Sequence, residues 1–247
     1  MINFTSDQIF IVTGASSGLG EGVALLLNKL GATVVGIGRN SARLSAMREK
    51  CVHPEHCFIE ERDLATDIDQ LPAYVKQLRE KYGKFRGMAI SHGISAVRPM
   101  QLIDMDTMQH IFNCDYFAPM MLAKGFVDKR NNTGRGAALV AISSVAAIAC
   151  NRGMIEYSGA KAGLIASMKA LAREVAPFGI RINTVAPSDI KTPMVLNSSS
   201  DVTPETIAGY PLGLGEVDDV ANMIVYLLSD AGKWITTQNY VIDCGVR

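Results

Sequence analysis

Tyr157 and Lys161 stand four residues apart in IEYSGAKAGLIASMKALA, near the start of a segment with one apolar face. On a helix that spacing puts both side chains on one face, a turn apart. A free tyrosine titrates at about pH 10 and is a poor base at neutral pH, whereas an adjacent ammonium favours the phenolate and lowers that value. Such a pair can shuttle a proton to or from a substrate oxygen. Read alone, it is also a common feature of helix surfaces. The preceding apolar run, ALVAISSVAA, ends on Ser143 and Ser144, and Ser144 lies 13 residues before Tyr157, close enough to return to the same pocket. Its hydroxyl can hydrogen-bond a substrate oxygen beside the tyrosine.

Positioning these groups requires a frame, and the hydrophobic periodicity supplies one. Apolar, β-rich runs recur at Ile9 to Val12, Thr33 to Ile37, Cys57 to Ile59, Gly87 to Ile90, Ala137 to Ile142, Ile180 to Val185 and Asn239 to Ile242. Segments of helical spacing separate them: Gly20 to Leu30, Ser41 to Lys50, Ile68 to Tyr82, Thr107 to Lys129, Tyr157 to Ala176 and Val217 to Leu228. This alternation predicts an α/β fold, a doubly wound parallel sheet of about seven strands with helices on both faces. Apolar residues make up 48% of the chain against 19% charged, enough for a sheet buried on both sides. Residues 1–247 are expected to form one domain, with the Ser-, Thr- and Pro-rich stretch from Thr192 to Leu214 as a flap on the substrate side.

The first strand runs directly into glycines, in IFIVTGASSGLG. Ligands of open α/β sheets bind at the carboxyl ends of the strands. There Gly14 permits a tight turn, Gly18 lets backbone N–H groups approach an anion, and Gly20 lets the helix pack close to the strand. A small-residue connection without a ligand explains the turn equally well when it is read by itself. The second strand adds to it. An NAD site carries an Asp or Glu about 20 residues past the glycines, yet this end reads VVGIGRNSAR, with Arg39 and no acid before Glu49. Arginine suits a ribose 2′-phosphate, so NADP is favoured over NAD.

Lys plus Arg and Asp plus Glu both number 24, which leaves no overall field to draw in nucleic acid or an anionic membrane. The amino terminus has no basic and apolar leader pattern, and no run of 18 uncharged apolar residues occurs, so the expectation is a soluble, cytoplasmic protein. Five scattered cysteines without a CxxC pair read as reduced thiols. CVHPEHC gathers four zinc-type ligands in seven residues, but its spacing fits no usual finger; it is read as a connecting loop, and no metal is expected.

TGASSGLG, YSGAK, the serine 13 before the tyrosine, and APSDIKTP together resemble the short-chain dehydrogenase/reductase family in its single-domain, Rossmann-like form, from Ile9 to the terminal VIDCGV. The resemblance implies a catalytic set of Asn113, Ser144, Tyr157 and Lys161: Tyr157 as acid/base, Lys161 binding the nicotinamide ribose and tuning it, Ser144 orienting the substrate oxygen, and Asn113 holding a relay water. It implies cofactor contacts from Gly14, Ser16, Ser17, Gly18, Leu19 and Gly20 in the turn. Further contacts fall to Arg39 and Asn40 after the second strand, Asp63 and Leu64 after the third, Ser91 and Gly93 after the fourth, Tyr157 and Lys161 on the helix after the fifth, and Ile190 and Thr192 after the sixth. The cofactor implied is NADP(H), the substrate a small carbonyl compound or secondary alcohol, and the group most resembled is the 3-oxoacyl-carrier-protein reductases. A homotetramer or homodimer built on Thr107 to Lys129 and Tyr157 to Ala176 is also implied.

Four residues depart from the family pattern. Ser91 and His92 stand where asparagine and alanine are usual, Ser188 replaces a glycine in APSDIKTP, and Thr237 replaces one before Gln238. Met154, Met194, Val195 and Leu196 are expected to line the substrate pocket, with Arg98 and Arg152 read as surface arginines that could also meet an acidic substrate or a carrier protein. Two rival readings are a nucleotide-sugar epimerase or dehydratase, which shares Tyr-xxx-Lys but needs an added sugar-binding domain, and a non-catalytic NADP-binding regulator.

Overall fold

The computed structural model describes residues 2–196, 203 and 207–246. Seven strands form one sheet: β1 (Ile9–Thr13), β2 (Thr33–Gly38), β3 (Cys57–Glu61), β4 (Phe85–Ile90), β5 (Ala138–Ile142), β6 (Arg181–Pro187) and β7 (Asn239–Ile242). Their order is β3-β2-β1-β4-β5-β6-β7, and every neighbouring pair is parallel. The chain winds outward one way from β1 to β3, then returns to the other side of β1 with β4. The carboxyl ends of β1 and β4 therefore flank the switch point at which doubly wound sheets bind their ligands.

Alternation along the strands divides the core in two. Phe10 and Val12 point to a layer shared with Val23 and Leu27 of α1 (Gly18–Lys29) and Ile224 and Leu228 of a late helix, Val217–Leu228. Ile11 points the other way, to Val75 of α3 (Leu71–Tyr82) and to Leu122, Leu164 and Met168. The strands β2, β4, β5 and β6 are buried along their whole length, which explains their continuous apolar runs. α2 (Ser41–Glu49) opens on an Asn40 cap, whose Oδ1 accepts from the Arg43 N–H at 2.9 Å.

The segment expected as one long helix over Thr107 to Lys129 is broken. α4 (Met105–Phe112) passes into a π-helical turn, Asn113–Phe117, before α5 (Ala118–Val127). Pro119 is the physical reason: it has no N–H for the carbonyl of Asp115 four residues earlier, and its ring crowds that carbonyl, so the turn widens. A short α6 (Ala146–Ala149) leads to α7 (Ile155–Val175), the helix carrying Tyr157 and Lys161. α8 (Pro193–Leu196) and α9 (Val217–Leu228) follow. Of the expected flap, residues 197–202 and 204–206 lie outside the described residues. Among the described residues no helix is long and apolar enough to cross a membrane.

Candidate active site

A cleft of about 860 Å³ runs across the carboxyl ends of the strands. At one end lie Gly14, Ser16, Ser17, Gly18 and Leu19. Gly14 and Gly18 have φ of 67° and 57°, left-handed values that glycine adopts without strain. Gly20 sits behind the turn, where a Cβ would stand 2.3 Å from the Gly14 carbonyl oxygen. Ser17 opens α1 with no side-chain cap, so the first-turn N–H groups and the positive end of the helix dipole face the cleft. Such a turn can cradle an anionic group the size of a diphosphate.

Arg39, Asn40 and Arg43 border the same end, with Asp63 and Leu64 from the loop after β3. Arg39 is 64% exposed and 3.8 Å from Asp63, free to turn toward a ligand. Arg43, in the first turn of α2, adds a second guanidinium that the strand-end pattern did not reveal.

Beyond the switch point the loop after β4 carries Ser91, His92 and Gly93 into the cleft wall. Thr13 Oγ1 accepts from the Ser91 N–H at 3.0 Å and the His92 N–H at 3.3 Å, and stands 2.8 Å from His92 Nδ1. With both acceptor positions of the hydroxyl filled, its own proton points at Nδ1, which places the imidazole proton on Nε2. Burial, then the positive charges of Lys161 and Arg39, push the His92 pKa down to about 3. His92 is a neutral wall of the site.

The far end gathers Ser144, Tyr157 and Lys161. β5 delivers the serines with different tasks: Ser143 Oγ donates to the Lys161 carbonyl at 3.0 Å and so docks α7, while Ser144 faces the cleft. Lys161 is 3% exposed, and its Nζ lies 5.7 Å from the centre of the Tyr157 ring. That ammonium also donates to the Ile142 carbonyl at 3.1 Å. Burial raises the Tyr157 pKa, with Asp115 adding to the rise and Lys161 and a Ser144 hydrogen bond opposing it. The expected lowering by Lys161 is present, but burial outweighs it.

Asn113 is the site residue the structure puts elsewhere. Its Oδ1 accepts from Gln109 Nε2 at 2.7 Å on the outer side of α4, and it does not line the cleft. The widened turn ahead of Pro119 brings in Asp115 instead, fully buried, with Oδ1 3.0 Å from Lys161 Nζ. An acidic residue four before a proline in an otherwise apolar stretch was the available signal, missed because a family asparagine was sought.

Ile190, Thr192, Met194 and Val195 line the cleft after β6, and Met154 does so just before α7, whereas Leu196 is 59% exposed and does not line it. Ser188, the glycine replacement, shares a 3.0 Å hydrogen bond with Tyr210, whose hydroxyl also donates to Asp189. Arg98 is no free surface cation: it pairs at 3.5 Å with Glu156, a carboxylate with no exposed surface. Arg152 is exposed. The CVHPEHC stretch lies away from the cleft, with Cys51 and Cys57 buried and His53 and His56 partly exposed beside Glu55.

The enoyl-(acyl carrier protein) reductase family model matches residues 14–247, which takes in the glycine turn, the Ser-Tyr-Lys group and all but the first strand. The chain belongs to the short-chain dehydrogenase/reductase family. It is an oxidoreductase of that family, whose members use a nicotinamide cofactor. The 3-oxoacyl-(acyl-carrier-protein) reductase of Vibrio harveyi is 30% identical over 249 residues, covering 97% of each chain. An L-rhamnose 1-dehydrogenase of Azotobacter vinelandii is 30% identical over 97% of this chain and 96% of its own. Among solved structures, a short-chain dehydrogenase/reductase of Brucella melitensis superposes with TM-score 0.92 at 24% identity, covering 100% of this chain and 99% of that one. A short-chain dehydrogenase of Burkholderia cenocepacia, solved in complex with NADP, does so with TM-score 0.88 at 24% identity over 99% of both chains. At those identities the structural likeness speaks for the shared sheet alone, and the chain has the seven-stranded parallel sheet of its relatives.

Proposed function

We propose that this protein is an NADP(H)-dependent reductase of a small carbonyl compound, of the 3-oxoacyl type, running between the ketone and its secondary alcohol. The observation that carries the reading is the placement of two chemically different ends on one cleft: Ser144, Tyr157 and Lys161 at one, Arg39 and Arg43 beside a glycine cradle at the other. NADPH fits this arrangement, since the cradle takes a diphosphate and the two arginines take a 2′-phosphate. When bound, it supplies the hydride. Gly14, Ser16, Ser17, Gly18, Leu19, Arg39, Asn40, Asp63, Leu64, Ser91, Gly93, Ile190 and Thr192 would hold it, with Gly20 shaping the turn from behind.

The chain's own residues handle the proton. Ser144 donates a hydrogen bond to the substrate carbonyl oxygen and fixes its position beside the Tyr157 hydroxyl. Tyr157 gives up its phenolic proton to that oxygen as negative charge develops there, and Lys161 stabilises the phenolate that results. A phenol whose pKa lies above the ordinary value stays protonated through neutral pH, the state a reduction requires. Met154, Met194 and Val195 present apolar surface to the substrate.

We place the protein in the cytoplasm, as a homodimer or homotetramer of the single-domain type. Phe117, Ile148 and Ile155, 40%, 54% and 46% exposed on the turn before α5, α6 and α7 respectively, provide apolar surface for that assembly. The reading is tested by NADPH oxidation against 3-oxoacyl thioesters, aldoses and cyclic ketones, with Tyr157→Phe as the control.

A further inference from the structure

Lys161 occupies a seat in which nearly all water has been removed, and a lysine in such a place tends to lose its proton. Three features of the fold counter this. Asp115 Oδ1 stands 3.0 Å from Nζ, and the other carboxylate oxygen, Oδ2, accepts from the Ile94 N–H at 3.3 Å. The Ile142 carbonyl accepts a second ammonium proton. Gly93 leaves the space: a Cβ there would lie 2.5 Å from Asp115 Oδ1 and 3.2 Å from Lys161 Nζ. The π-helical turn at Asn113–Phe117 is what directs the Asp115 side chain inward.

We propose that Asp115 is a positioning residue of the proposed reaction: its carboxylate seats the Lys161 ammonium, keeps it charged in the cleft, and thereby sets the alkaline end of the pH range of carbonyl reduction. This rests on the reductase reading only for its last clause. The other groups facing Lys161 are Tyr157 on its own helix, Cys114 from the π-helical turn and His92 from the loop after β4, with Arg39 farther along the cleft. His92 stays neutral, burial lifts the Cys114 pKa to about 12, and Asp115, whose own pKa burial raises while the Lys161 charge and the Ile94 N–H pull it down, is the carboxylate facing the ammonium. Its contribution acts in the direction required: Lys161 is raised above the ordinary lysine value even though burial works against it, and Asp115 is the largest influence upward.

Removing that carboxylate has two consequences with one sign. A lysine without its partner sheds its proton at lower pH, and while it is still charged its unopposed field makes the Tyr157 phenol more acidic. Reduction needs both groups protonated, so its alkaline limb moves down in either case.

The test reads Lys161 directly, by the titration of carbon-13-labelled lysine signals in the full-length protein, with Lys161→Met assigning the resonance. Asp115→Asn is expected to lower the Lys161 midpoint by at least about one pH unit. Gly93→Ala, which crowds Asp115 without changing charge, is expected to lower it in the same direction by less, and it carries the test should Asp115→Asn not fold. Measured alongside, the alkaline limb of NADPH-dependent carbonyl reduction should fall by a comparable shift. An unchanged or raised Lys161 midpoint in the variants overturns the proposal. A lowered midpoint in a protein that reduces no carbonyl compound upholds the seating of Lys161 and sinks the reductase reading instead.

Discussion

Thr13 Oγ1 and His92 Nδ1 are 2.8 Å apart, so one hydroxyl at the end of β1 ties down the loop after β4 on the opposite side of the switch point. The tie needs an unprotonated Nδ1. Protonation there replaces an attraction with a clash of two donors, and it puts a charge into the cleft wall beside Lys161.

That relationship makes stability depend on acid. The folded-state pKa of His92 lies at about 3 against an ordinary 6.5, so below about pH 6.5 the unfolded chain binds a proton that the folded one refuses. Stability is fully present above that value and falls as the pH drops toward 3. Denaturant unfolding followed from pH 7 to 4 should show a decline to which this residue adds up to about 1.4 kcal/mol per pH unit. His92→Gln should flatten that decline; an identical slope in the variant would show that His92 does not titrate on unfolding.

Arg39 sits 64% exposed on the cleft margin. Arg39→Ala should weaken NADPH binding roughly 10- to 100-fold, the worth of a charged hydrogen-bonded contact, and leave NADH affinity unchanged. Equal losses for both cofactors would assign Arg39 a role in holding the loop.

Thr237 adopts φ of 64°, a left-handed conformation that a β-branched residue enters only with strain. Its hydroxyl makes a short-range bond to the Thr236 carbonyl, which offsets only part of that cost. Thr237→Gly should raise stability by about 1 kcal/mol in thermal or denaturant unfolding. A loss of stability of that size would mean that the hydroxyl bonds outweigh the strain.

The strands were legible because parallel strands buried on both faces must be apolar throughout, as Val34, Val35 and Ile37 are. Ser144, Tyr157 and Lys161 were legible because their spacing is local to one strand and one helix. The opposite holds for Asp115, whose role depends on a turn widened by Pro119 and on the space beside Gly93, two facts that no periodicity reports. Arg98 was read as a surface cation because its partner Glu156 lies 58 residues away in sequence and is buried by packing. The raised Tyr157 pKa was missed for a similar reason: the charge of Lys161 is visible in the sequence, while the burial that outweighs it is not.

The central claim is that Tyr157, at one end of a cleft whose other end we propose holds NADPH, protonates a carbonyl oxygen. It is tested most directly by titrating wild type and Tyr157→Phe with NADPH, then following carbonyl-dependent NADPH oxidation by both. The account predicts equal NADPH affinity and a turnover roughly 100- to 10,000-fold lower in the variant. Turnover by Tyr157→Phe at the wild-type rate, with NADPH bound equally well, would contradict it.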